Sequence, residues 1–360
     1  MPLASGDLYR ETGSVAAGLA VAGLEVAWRR VLHQRPNPQA FAVNGDAVLV
    51  VERSSRLVRV DPRTGAAFWE SRVADTWGPL GCADGRCCYV DERLGLLRCL
   101  DLADGNELWG SQLPRPGGYA VGAQRTVVTG GWRHHQPLTA FDLGTGRVRW
   151  SWSLDGVGAA GPAEPAVCLR PLALDDQLLV GSPGGQAVWQ LDASSGQVAR
   201  RWRLPRPLVD ADVRPAFAAA GKRAALVRCG SRLVVRIDLD ESAVETVWWH
   251  DADLEPDAVA VIDGLLLLRE VSGRSVAVDP VAGVVRWARR LPEPAVADVL
   301  PLAGGYAIAD RSGLLWVLDA DGEPVARGPI SRRHHLLAGG SDGRLYLLGK
   351  GELVCVIPNT

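Results

Sequence analysis

Continuous apolar runs of strand length recur along the chain, among them AVLVV (47–51), LLVG (178–181), LLLL (265–268) and YAIA (306–309). Turn signals follow them: Ser54-Ser55, Gly184-Gly185, Ser272-Gly273 and Ser312-Gly313. Runs this short, punctuated this way, predict strands and tight turns.

A second pattern follows each run. The spacing DxxxGxxxW occurs at Asp61/Gly65/Trp69, Asp101/Gly105/Trp109, Asp142/Gly146/Trp150 and Asp279/Gly283/Trp287. Degenerate copies fill the gaps. Asp192/Gly196 has Arg200 in place of Trp with Trp202 two residues on, Asp238 reaches Trp248 through a longer turn, and Asp319/Gly322 has no Trp. Each unit reads as four short antiparallel strands, A to D, with the Asp ending strand C and the Trp on strand D. A period of about 40 residues is that of a β-propeller blade.

Seven motifs leave a tail, His335 to Thr360, with material for strands A, B and C only. The missing D strand is expected at the other end, where Gly23 to Trp28 looks like the GxxxW half of the motif with one extra residue. The prediction is therefore an all-β, eight-bladed propeller of four-stranded antiparallel blades, closed by the N-terminal strand completing the C-terminal blade. Closure leaves no open sheet edge. Residues 1–22 are read as an extension, disordered or a short helix, and 23–360 as one domain.

Composition narrows the function without naming it. The 360 residues are 47% apolar, enough for a large core. Net charge is −2 and the pI near 6.3, so nothing in the overall charge favours nucleic acid or an acidic membrane as partner. Seven cysteines (82, 87, 88, 99, 168, 229, 355) are an odd number without metal-type spacing, which favours reduced thiols. No convincing secretory signal or membrane span is found, so a cytoplasmic monomer is expected.

The DxxTGxxxW unit resembles the tryptophan-docking repeat of the PQQ-type eight-bladed β-propellers, over residues 23 to 360. The resemblance implies that each Trp packs its ring against the peptide plane of a neighbouring blade's motif. It implies no single activity, because the repeat serves quinoprotein dehydrogenases, outer-membrane assembly lipoproteins, kinase sensor domains and assorted enzymes. The chain is much shorter than the dehydrogenases and their Glu/Asn/Asp calcium set has no counterpart here, so neither PQQ nor calcium is expected. The vicinal Cys87-Cys88 resembles the vicinal disulfide of those enzymes. Inside the strand RCCYV it is read instead as a half-buried thiol pair.

Candidate chemistry falls on the D-to-A and B-to-C connections, which share one end of each blade. His33, His250, His334 and His335 fall in or beside D-to-A connections, and His134 and His135 in a B-to-C connection. The same connections carry Trp77, Arg115, Trp132, Arg133, Asp212, Arg214, Arg332 and Arg333, while Glu52, Asp91 and Asp310 end B strands. Solvated loops are polar in any propeller, and any one of these histidines is read first as a solvated loop residue. The doublets beside arginine, Arg133-His134-His135 and Arg332-Arg333-His334-His335, suit an anionic or carbonyl-bearing ligand and titrate near neutrality. No metal site is expected.

Two function classes follow. One is a propeller that binds a small molecule, peptide or protein across the loop-rich face and channel mouth. The other is a cofactor-independent cyclase, isomerase or lyase, with His134, His135, His334, His335, Asp91 or Asp310 as acid/base and arginines holding an anion. The first is preferred.

Overall fold

The computed structural model describes residues 23–33, 36–52, 55–73, 76, 78–114, 118–130, 138–152, 168–182, 184–209, 217–262, 264–291, 299–302, 304–310, 312–330, 334–340 and 342–359. Among them there is no helix, and every strand belongs to one of eight four-stranded antiparallel sheets. The fold is an eight-bladed β-propeller. The blades fall into two compact units: Ser71–Asp251 holds blades 2 to 5, while Leu8–Glu70 with Ala252–Thr360 holds blades 6, 7, 8 and 1.

Blade 2 shows the plan. Strand A is Gly81–Ala83, B is Arg86–Asp91, C is Leu96–Asp101 and D is Glu107–Gln112, paired in that order. Its Asp101 ends strand C and its Trp109 lies on strand D, as the spacing predicts. Strands B and C are apolar without alternation because neighbouring blades cover both of their faces. Blade 1 makes the contrast plain: Ala47–Glu52 is buried throughout, whereas its D strand, Ala67–Arg72, buries only Trp69. Each hydrophobic cluster draws on successive blades. Val90, Leu97 and Cys99 of blade 2 pack with Val127 and Phe141 of blade 3, and Val317 of blade 7 packs with Leu347 and Val354 of blade 8.

The eighth blade takes strands A to C from His334–Gly339, Leu345–Gly349 and Glu352–Asn359, and strand D from Gly23–Val31. Within its unit, the N-terminal strand runs antiparallel to Glu352–Asn359 over eight register pairs, Gly23↔Asn359 to Val31↔Glu352. One detail departs from the sequence reading. Trp28 pairs with Cys355 as Trp109 pairs with Cys99, so the motif glycine's place, four residues before the Trp, falls on Leu24 rather than Gly23. Strands C and D here come from opposite ends of the chain, so no tight turn joins them and none requires glycine.

The N-terminal strand carries a β-bulge between Val26 and Trp28. The same bulge precedes the docking position in every other blade whose C–D register is described, skipping Leu108, Arg149, Ala199, Val247, Arg286 and Val325. A bulge re-aims the following side chain and increases local twist. It turns the indole out of the blade's own sheet toward the next motif.

Candidate functional site

In most blades the repeated residues are engaged in structure. The motif Asp folds its own turn: Asp61 accepts from the Arg63 amide at 2.8 Å, Asp101 from Ala103 at 2.7 Å, and Asp192 from the amides and hydroxyls of both Ser194 and Ser195. The Gly beyond it adopts a left-handed φ, 73° at Gly65 and 68° at Gly146, which admits no side chain without strain. On that bare Cα rests the neighbouring blade's Trp. A Cβ built on Gly65, Gly146, Gly196 or Gly322 would stand 2.5–2.7 Å from the ring of Trp28, Trp109, Trp150 or Trp287, respectively. The indole N–H then donates to the carbonyl after the motif Asp, Trp28 to Pro62 at 2.9 Å, Trp109 to Leu143 at 2.9 Å and Trp150 to Ala193 at 3.0 Å.

Arg200 occupies the docking position where the repeat has lost its Trp. Its guanidinium donates to the Leu239 carbonyl at 3.0 Å, the acceptor an indole would have used, and also to the Glu241 carbonyl. Trp202 donates to Glu241 as well, at 3.1 Å, beneath the Arg200 guanidinium. A cation with several donors thus replaces one indole N–H across the same gap.

These turns are electrostatically tuned for folding. The Arg149 guanidinium, 2.5 Å away, together with Thr145, holds the Asp142 carboxyl down at about 2 against an ordinary value of 3.8. A carboxyl depressed in the folded state contributes stability above its ordinary value and loses it as pH falls through the folded one. Denaturant midpoints should therefore fall between about pH 4 and pH 2. Asp142→Asn should lower the midpoint at pH 7 and flatten that slope, and an unchanged slope would remove Asp142 from the acid sensitivity.

At the other end of the blades the structure reaches part of the predicted site. Trp77, Arg115, Trp132, Arg133, His134, His135, Asp212, Arg214, Arg332 and Arg333 lie outside the described residues. His33 follows the N-terminal strand in an exposed bend, and His334 and His335 open strand A of blade 8. Leu32 donates to the Gly351 carbonyl and His334 pairs with Gly349, so these histidines emerge at one end of one sheet. Three strand spacings, about 14 Å, separate the two strands that carry them. His250 is buried rather than open on a loop. Its Nδ1 accepts from the Trp248 indole at 3.3 Å and its amide donates to Arg232.

The B-strand carboxylates occupy one register, as expected, and every one is buried. Asp91 accepts from the Leu94 amide at 3.0 Å and from Arg98 Nε at 3.3 Å. Asp310 accepts from the amides of Ser312 and Leu314, the Ser312 hydroxyl and the Trp316 indole, the last at 2.8 Å. Glu52 takes Arg56 at 2.5 Å. Glu270, which the sequence reading did not single out, stands at the same step and accepts from Ser272 at 2.7 Å with Arg274 at 3.4 Å. The signal was present as an acid ending LLLLRE two residues before Ser272-Gly273. These carboxylates organise B–C turns and hold strand-C arginines, and each of these hydrogen bonds stays within its own blade.

The four cysteines of blade 2 are fully buried, where half-burial had been expected for Cys87 and Cys88. Strand B is covered on both faces, so successive residues are hidden alike. Among the described residues no group of three or more His, Cys, Asp or Glu is arranged to hold a metal ion. Among the described residues no helix is long and apolar enough to cross a membrane.

Comparison with known proteins agrees with this architecture. The family model described as outer membrane protein assembly factor BamB matches residues 93–245. The BamB protein of Yersinia pestis is 20% identical over 316 residues, covering 79% of this chain and 75% of its own. Among solved structures, BamB from Moraxella catarrhalis superposes with a TM-score of 0.70 at 18% identity, covering 93% of this chain and 97% of that one. The quinohemoprotein alcohol dehydrogenase of Comamonas testosteroni gives 0.68 at 16% identity, over 94% and 78%. At such identities the superpositions speak for fold alone. With indole on glycine and indole N–H on the carbonyl after the Asp in several blades, the chain carries the tryptophan-docking repeat of the PQQ-type β-propellers and is similar to that family.

Proposed function

We propose that this protein is a protein-binding propeller that docks a partner polypeptide on the face bearing the D–A and B–C connections. The observation that carries it is the division of labour within each blade. The C–D turns are committed to interblade docking through Asp, Gly and carbonyl, whereas the varied His, Arg and Trp residues of the repeat map to the opposite end. Arginine and aromatic side chains are the residue types that anchor protein interfaces. Similarity to an outer membrane assembly factor favours the same class of role. An acid/base enzyme is the weaker reading, because Asp91 and Asp310 are buried and bonded inside their own turns. A cytoplasmic setting belongs to this proposal and is checked by cell fractionation.

Photo-crosslinking in cells tests the face. A benzophenone side chain placed at His33, Arg133 or Arg333 should capture one discrete partner, and the same group at Arg63 or Ser194 in the C–D turns should not. Capture confined to the C–D positions would overturn the assignment.

A further inference from the structure

Blade 2 concentrates four of the seven cysteines, and its register sorts them into pairs. Ala83 and Arg86 flank the two-residue turn Asp84-Gly85, whose φ values are 48° and 71°. Two successive positive φ values are those of a type I′ hairpin, whose flanking residues form a hydrogen-bonded pair. Antiparallel pairs alternate, so the next pair out, Cys82↔Cys87, is non-hydrogen-bonded, with Cα atoms about 4.5 Å apart. Within strand B, the residue that bonds toward strand A at one step bonds toward strand C at the next. Cys88 therefore bonds toward Gly81 and meets Cys99 on its other side, again at a non-hydrogen-bonded step. That spacing lies within the range disulfides span, about 4.4–6.8 Å between Cα atoms.

Consecutive strand residues point to opposite faces, so Cys87 and Cys88 face away from each other. Each instead faces a thiol on an adjacent strand, one pair on either side of the sheet. We propose that blade 2 holds two preformed dithiol sites, Cys82 with Cys87 and Cys88 with Cys99, each closing to a cross-strand disulfide when a small-molecule disulfide such as oxidised glutathione accepts the electrons. The inference is independent of the partner-binding reading.

The chemistry balances within that exchange. One cysteine of a pair, as thiolate, attacks the glutathione disulfide and expels one glutathione thiolate. Its partner then attacks the mixed disulfide and expels the second. Each site gives up two electrons and two thiol protons, and the oxidised glutathione becomes two thiols. All four thiols are buried, and the contact with Cys82 followed by burial for Cys87, and burial followed by the contact with Cys99 for Cys88, push both thiols well above the usual range. Reaction at neutral pH thus passes through opening of the blade, for which Gly81–Ala83, three residues at a sheet edge, is the short element.

The test uses the whole chain, refolded from denaturant once in glutathione redox buffer and once in dithiothreitol, then alkylated in denaturant and digested with trypsin. Cleavage at Arg72, Arg86, Arg93, Arg98 and Arg125 puts Cys82 in peptide 73–86, Cys87 and Cys88 in 87–93, and Cys99 in 99–125. In redox buffer the three peptides should run as one linked species, with the intact protein lighter by four hydrogen atoms. Cys87→Ser should leave only 87–93 joined to 99–125. Alkylation of all four blade 2 cysteines after redox refolding, an internal disulfide in 87–93, or a Cys87→Ser protein linking 73–86 to 87–93 would each overturn the proposal. The oxidised chain should also unfold at a higher urea concentration than the reduced one.

Discussion

Gly146→Ala is expected to destabilise the protein by about 3 kcal/mol, read as a lower midpoint in chemical denaturation. Two effects add. Alanine at φ 68° costs about 1 kcal/mol through left-handed backbone strain. Its Cβ would also stand 2.6 Å from Trp109 Cε3 and 2.6 Å from the Ser111 hydroxyl, so the docked ring must leave its seat, at about 1–3 kcal/mol for an overpacked contact. Gly283 supplies the matched control: same motif, same φ of 68°, and nothing within 4 Å of its would-be Cβ. Gly283→Ala should therefore cost only the strain, about 1 kcal/mol. Equal losses at the two positions would mean that the ring contact adds nothing.

Removing residues 1–31 should abolish cooperative unfolding of the native protein. The truncation strips all eight register pairs from Glu352–Asn359 and leaves that strand as an unpaired edge. It also removes Trp28, which is buried, rests on Gly65 and donates to Pro62, thereby joining blade 8 to blade 1 within their unit. Trp28→Ala alone should cost about 3–5 kcal/mol, the range for truncating a buried large aromatic. A truncated chain that melts cooperatively near the full-length temperature would refute the closing role of the N-terminal strand.

The docking lattice was legible because it is short-range chemistry repeated at fixed spacing. Asp, Gly and Trp at DxxxGxxxW show the turn, the bare Cα and the ring, and the one copy split between chain ends could be found by counting. What hid from the sequence were effects of register and burial. The bulge before each docking position changes no residue type, so it left no pattern in the sequence. At Arg200 the sequence shows a missing Trp, whereas the fold shows a guanidinium on the same carbonyl. His250 looked like a loop histidine by position and is a buried acceptor for Trp248. Asp91 and Asp310 were placed correctly at strand ends, yet the donors that hold them lie two to seven residues on and give no one-dimensional signature.

The sequence by itself determined the fold class, the number of blades and which end of each blade carries the repeated turn. Local propensity and strict repetition are enough to specify those features, because each blade meets the same neighbour problem in the same way. Only the tertiary structure decided which buried groups meet. The two thiol pairs of blade 2, the Arg200 substitution and the capped carboxylates depend on strand register and on coverage by the next blade, and both are set by packing between segments far apart in the chain.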